Sequence, residues 1–348
     1  MSLVYVANFG GNNASVIDSK VNRLISNIRV GDFPIATILS PNGQYAYVLS
    51  TGLPGHITTI DTKDHRVLAT IQIGSVDLPG LPTTPLAITN DGQRVYVANN
   101  GSNTVTVIDT KDYRLIATIQ VNDNPLFMAV TPDDQFVYVV NTRAATLTVI
   151  ETKRHQVIST IPVGDTTSNI RITPDGRYAY VCNNGDQNVT VIDIKTKKVI
   201  ATVSVDGAPL PLEITADGQY VYVGNPGRNT VSVIETRTNR VISTVRVGSF
   251  PVALGVTTDD RYVYVANRDG NTVSVIDTRT NQVISTVEVG SNPVALGATA
   301  DDRYVYVANS QLNIGSGGNT VSVIEIKTTQ VISTVEVGLN PFTLGITP

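Results

Sequence analysis

Tryptophan is absent from the 348 residues, methionine occurs twice, histidine three times and cysteine once. A lone cysteine, Cys182, excludes an internal disulfide. So few soft and imidazole ligands leave little from which to build a metal cluster or to ligate an iron. Charged residues make up only 16%, with a net charge of -4 and a pI near 5.4. The basic excess that would neutralise phosphates is missing, so nucleic acid is not an expected partner. No apolar run approaches the roughly 20 residues of a membrane-spanning helix. The Gly-x-Ser-x-Gly elbow, the phosphate-binding loop, the dinucleotide fingerprint and the calcium loop are all missing. The expectation is therefore no metal, no cofactor, no nucleic acid and no membrane span. Hydrophobic residues at 41% still describe a globular chain and not a disordered one.

What is present is a repeat. A Tyr-Val-x-Asn-like tetrapeptide begins at Tyr5, Tyr47, Tyr96, Tyr138, Tyr180, Tyr222, Tyr264 and Tyr306; Tyr47-Val48-Leu49-Ser50 is the loosest copy. Successive copies lie 42 residues apart, except for 49 between Tyr47 and Tyr96. Each unit holds four short runs, as in Pro251 to Thr257 (run A), Arg261 to Asn267 (run B), Asn271 to Asp277 (run C) and Gln282 to Val289 (run D). Val, Ile, Thr and Tyr alternate in these runs with period two, which predicts strands. Asp-Gly, Asn-rich and Thr-Asn pairs between them predict hairpin turns. The expected fold is all-β: an eight-bladed β-propeller of four-stranded antiparallel blades, one domain over residues 1–348. The chain starts at a run B and stops after a run A, so the C-terminal inner strand should pair with the N-terminal strands and close the ring. An open solenoid would leave two bare edges.

Thr-Val-Ser-Val-Ile-Asp, Val-Ile-Ser-Thr-Val, Val-Gly-x-x-Pro and Thr-Pro-Asp-Gly recur beside the tetrapeptide. Together these motifs resemble the YVTN-type β-propeller repeat over the whole chain. The resemblance implies a propeller related to periplasmic and surface-layer proteins and, more distantly, to lactonase-type propeller enzymes. Many such propellers have seven blades, and the eight copies here depart from that. Met1-Ser2-Leu3 runs directly into a strand-like segment with no leader pattern. The location implied by the resemblance is extracellular, periplasmic or cell-surface, and a monomer is expected.

Most repeated residues read as structure. Of 14 tyrosines, 13 fall in two run-B columns, Tyr113 being the other, and these predict packing between blades. An acid ends each run C, from Asp18 to Glu325, with a base two residues later; a turn acceptor and a solvated ion pair are expected. His65 and His155 fall in C–D turns and His56 in a B–C loop, where surface positions are expected. Cys182 should be a small buried residue.

Function is better sought where copies differ. Gly74 to Thr84 is a longer D–A connection and Ser310 to Gly318 a longer B–C connection; both belong to one face of a propeller. The fifth residue of run A is Ile38, Ala87, Ala129, Arg171, Glu213, Gly255, Gly297 and Gly345. Arg171 and Glu213 are predicted to approach one another, either as an ion pair fastening two blades or as a polar catalytic site. Phe9, Phe33, Asn169, Arg143, Arg228, Phe250 and Arg268 are the binding candidates of the same face. Two functions remain open from the sequence. One is a non-catalytic scaffold presenting this face to a protein or glycan partner. The other is a metal-independent lactonase-, isomerase- or lyase-like enzyme working through Arg171 and Glu213.

Overall fold

A computed structural model describes residues 2–77, 85–310 and 318–348. The segments 78–84 and 311–317 lie outside the described residues, and with them most of the two long connections. The fold is an all-β, eight-bladed propeller. Its strands run from β1 (Leu3–Asn8) to β32 (Pro341–Ile346), four to a blade. Blade I combines β32 with β1, β2 (Asn13–Asp18) and β3 (Arg23–Arg29); blades II to VIII follow in chain order. The only helix among the described residues is one short turn, Pro226–Arg228. None is long and apolar enough to cross a membrane.

Blades I, II, VII and VIII form one compact unit, from the chain up to Gln72 and from Val247 onward. In it β1 pairs antiparallel with β32, Val4 opposite Ile346 and Val6 opposite Leu344. The C-terminal strand thus completes the first blade, as the end-to-end repeat pattern requires. Apolar residues of neighbouring blades interdigitate: Tyr5, Val16 and Ile28 of blade I with Val48 and Ile60 of blade II. Blades III to VI form the second unit, within Thr83–Arg246. Its cores repeat the scheme, as where Tyr138, Val149 and Ile161 meet Ile170, Val181 and Ile192. Blade VI has the short inner strand Leu212–Ile214, because Pro209 and Pro211 offer no N–H to a ladder.

Within the blades the repeated residues take structural roles. The tetrapeptide asparagines Asn8, Asn99, Asn141, Asn183, Asn225, Asn267 and Asn309 are fully buried. Each donates its amide to polar side chains of run C, as Asn267 does to Thr272 Oγ1 (3.1 Å) and Ser274 Oγ (2.9 Å). The run-C acids accept from their own turns, Asp18 from the Lys20 N–H at 2.8 Å and Asp277 from the Thr280 N–H at 2.9 Å. The expected pairing with the base two residues on is largely not made. Among the described residues only Arg237 and Glu235 come within 4 Å in this way, because the carboxylate faces its turn and the base points to solvent.

The surface reading of two histidines is corrected. His65 and His155 are half-buried, with left-handed backbone (φ +60° and +54°), and each lies under a tyrosine of the preceding blade. Tyr5 Oη is 2.9 Å from His65 Nδ1, and Tyr96 Oη is 3.4 Å from His155 Nδ1. Asn239 serves Tyr180 in the same way, and Asn22 serves Tyr306. Burial lowers both imidazole pKa values below 6.5; Asp64 and Asp61 oppose this at His65, and Arg94 adds to it at His155. Burial also pushes the Tyr96 phenol up to about 12. Depressed imidazoles mean that the unfolded chain binds the protons more readily, so this stability is complete above pH 6.5 and is lost as pH falls below it. Urea midpoints should therefore drop more between pH 7.5 and 5.5 in the wild type than in His65→Asn/His155→Asn. Equal drops would refute that role.

Candidate functional site

Two places break the repeat. The first lies on the inner strands β16 (Thr167–Ile172) and β20 (Leu212–Ile214), which carry Arg171 and Glu213. Alternation along adjacent inner strands turns these two side chains toward one another. Arg171 Nη2 donates to Glu213 Oε1 at 2.5 Å, and Nε reaches both carboxylate oxygens at 3.1 Å. The other terminal nitrogen is held by Asn169 Oδ1 at 3.2 Å and the Ile170 carbonyl at 3.1 Å. Burial disfavours the Arg171 charge, but the Glu213 carboxylate outweighs it and holds the guanidinium above its usual value. Behind it, burial pushes the Cys182 thiol up, and Arg171 only partly offsets this. The thiol is protonated, buried and inert.

Chemically, four of the five guanidinium N–H groups are spent inside the protein. The pair is close to neutral as a unit. A ligand anion would have to displace Glu213 to gain a bidentate contact. The side chains keep 30% and 26% of their exposure, so the pair is only partly withdrawn from water. Apart from Ile38 the same column is small in the other blades, and at two of its glycines the reason is steric. A Cβ on Gly255 would lie 2.5 Å from Leu296 Cδ1, and one on Gly345 would strike Leu39 Cδ2.

The second place is the loop end of blades I and II. Phe9 and Phe33 rings lie 5.1 Å apart, and Phe9 also meets Phe342 at 6.0 Å. A cleft of about 700 Å³ opens beside them. His56, expected at the surface, is half-buried and lines it. The remaining candidates are dispersed. Arg143 and Arg228 are exposed in the B–C connections of blades IV and VI. Phe250 is not an exposed anchor, because the Arg268 guanidinium lies over its ring at 4.0 Å while also bonding Asp269. Asn169 is a partner of Arg171 rather than a displayed group. The sequence reading missed the cleft; its signal was the loose tetrapeptide ending in Ser50.

Comparison with known proteins adds a family. The model described as the cytochrome D1 heme domain matches residues 139–253 and again 251–338, more than half of the chain. The chain belongs to the cytochrome D1 heme domain family. A model described as a lactonase, 7-bladed beta-propeller, matches residues 27–157. No curated protein sequence matches the chain. Among solved structures, dihydro-heme d1 dehydrogenase NirN is similar with a TM-score of 0.79 at 17% identity, over 97% of this chain and 73% of that one. Hydrazine synthase of Kuenenia stuttgartiensis is similar with a TM-score of 0.65 at 22% identity, over 84% and 95%. A functionally unknown protein from Desulfotomaculum acetoxidans DSM 771 gives 0.66 at 14%, over 82% and 94%. These likenesses concern the fold.

Membership of a haem-domain family raises the question of whether these residues fit a haem. An iron held by protein needs an axial His, Met, Cys or Tyr. The described inner strands carry none of these except Met128, which is buried in the core of blades III and IV. His65 and His155 are engaged with tyrosines in the C–D turns, and His56 lines the cleft of blade II. No cluster of three or more His, Cys, Asp or Glu side chains able to hold a metal occurs among the described residues. The inner strands therefore do not fit an axially ligated haem.

Proposed function

We propose that this protein is a single-domain, monomeric binding propeller of YVTN-type repeats, working outside the cytoplasm and presenting its D–A and B–C loop face to a protein or glycan partner. One observation carries the reading: sequence and geometry vary on that face, while the opposite turns repeat one pattern. Thr173 with Asp175, Thr215 with Asp217, Thr257 with Asp259 and Thr299 with Asp301 all make the same A–B turn bond. The loop face by contrast mixes exposed Phe33, Leu53, Leu339, Arg143 and Arg228, the residue types that anchor interfaces. A photo-crosslinking residue in place of Arg143 or Arg228 should capture a partner in extracts of the source cells. The same residue at Lys195 in a C–D turn should not. Equal capture from all three positions, or capture from Lys195 alone, would refute the reading.

A second reading is favoured by the lactonase model that matches residues 27–157. It makes the chain a metal-independent enzyme of lactonase, isomerase or lyase type, with Arg171 orienting an anionic group and Glu213 accepting a proton. The engagement of four of the five Arg171 N–H groups by Glu213, Asn169 and the Ile170 carbonyl weighs toward the binding reading. Lactone hydrolysis abolished by Glu213→Gln in a well-folded protein would reverse that preference.

A further inference from the structure

The cleft on blades I and II is where the repeat is broken most thoroughly. Ser50 stands where seven blades bury an asparagine, and across the ladder from it His56 replaces the Thr or Asn of those blades. Elsewhere the buried amide bonds a run-C hydroxyl, as Asn267 does with Ser274. Here Ser50 Oγ and Thr58 Oγ1, at 0% and 1% exposure, are left with no partner. Gly31, which lines the cleft, lies against Ser50, its Cβ position 2.7 Å from Ser50 Cβ and 3.6 Å from His56 Cβ. Gly164 and Gly290 lie as near to Asn183 and Asn309, at 2.7 and 2.9 Å, so the backbone approach is common to the blades. What blade II changes is the side chains, a serine in place of the amide and His56 at the edge of the cleft.

The cleft is also lined by Phe33, Leu53, Arg29 and Asp32. Phe33 has φ +49° at the position before run A, where Asn124, Asn292 and Asn340, and also Thr166 and Phe250, take the same left-handed backbone. Asparagine tolerates that region best, so Phe33, like Phe250, holds it against local preference; Phe250 is covered by Arg268, whereas Phe33 is left open to the cleft. It remains 46% exposed although the tilted Phe9 ring packs against it, and Leu53, which lines the same cleft, is 83% exposed. Arg29 forms no ion pair among the described residues, and neither does His56. An apolar ring platform, an unpaired guanidinium and an imidazole converge on one concave space of about 700 Å³, large enough for a small organic molecule.

We propose that this cleft binds a small, flat aromatic anion. Its ring system lies against Phe33 and Leu53, its acidic group is held by Arg29 and His56, and Asp32 accepts from a ring-borne N–H or O–H. The site goes beyond the partner-binding reading and can fail without it, because the crosslinking positions lie on blades IV, V and VI.

The probe is 8-anilinonaphthalene-1-sulfonate, an aromatic anion with an N–H. Wild-type protein should bind it saturably at one site per chain. Arg29→Gln should weaken it at least tenfold, as should Phe33→Asn, and Ser50→Asn/His56→Thr, which restores the repeat, should do the same. Each variant should keep its thermal midpoint within about 3 °C, and Phe33→Asn places a tolerant residue at the left-handed position. The uncharged analogue N-phenyl-1-naphthylamine should bind weakly and be indifferent to Arg29→Gln. Non-saturable dye binding, or unchanged affinity in folded Arg29→Gln or Phe33→Asn, would overturn the proposal. So would equal affinity for the uncharged analogue.

Discussion

Deleting residues 341–348 is expected to cost about 4–8 kcal/mol and to yield a protein that self-associates. The deletion removes β32, and with it Phe342, which is buried, and Leu344 and Ile346, which pack against the blade VIII–blade I core. Burying three such side chains contributes roughly 1.5–3 kcal/mol each when complete, somewhat less here because two are only partly buried. The ladder from Val4–Ile346 to Asn8–Pro341 is lost too, along with the bonds of Leu3 to Thr347. That loss bares the N–H and C=O groups of β1, an edge ready to pair with another chain. Urea denaturation and size-exclusion chromatography check both consequences. A monomeric deletion variant with an unchanged midpoint would show that β32 does not hold blade I.

Arg171→Ala should be the most damaging single change among the polar residues, at about 1–3 kcal/mol. It strands the Glu213 carboxylate against the inner strand and frees Asn169 Oδ1 and the Ile170 carbonyl from a donor. Breaking a fully buried pair typically costs about 3–5 kcal/mol; the residual exposure of both side chains lets water reach the orphaned charge and lowers the figure. Arg171→Ala/Glu213→Ala should recover most of the loss, since Ala87 and Ala129 fill the same column in blades III and IV. Chemical denaturation of the three proteins tests this. A double variant no more stable than Arg171→Ala would mean that the pair is not what the mutation disrupts.

The approach of Arg171 to Glu213 was legible because adjacent repeats of equal length put equal columns side by side. The cleft was not. Ser50 marked a loose tetrapeptide, but its partner across the ladder depends on the length and path of the Gly52-Leu53-Pro54 loop, which brings His56 opposite it. Nor could the sequence show that Phe250 is covered. Its Arg268 lid comes from the following B–C connection, and only the fold sets their 4.0 Å approach.

Period-two alternation, turn residues and a repeat spanning the whole chain were enough by themselves to specify strands, blades and their number, because those properties are local or simply additive along the chain. Contacts between one blade and the next were decided by the tertiary structure. Tyr5 meets His65 and Tyr96 meets His155, about sixty residues apart, only because each blade's tyrosine reaches the C–D turn of the blade after it. That stagger is a matter of how twisted sheets pack face to face, and no spacing within a single repeat encodes it.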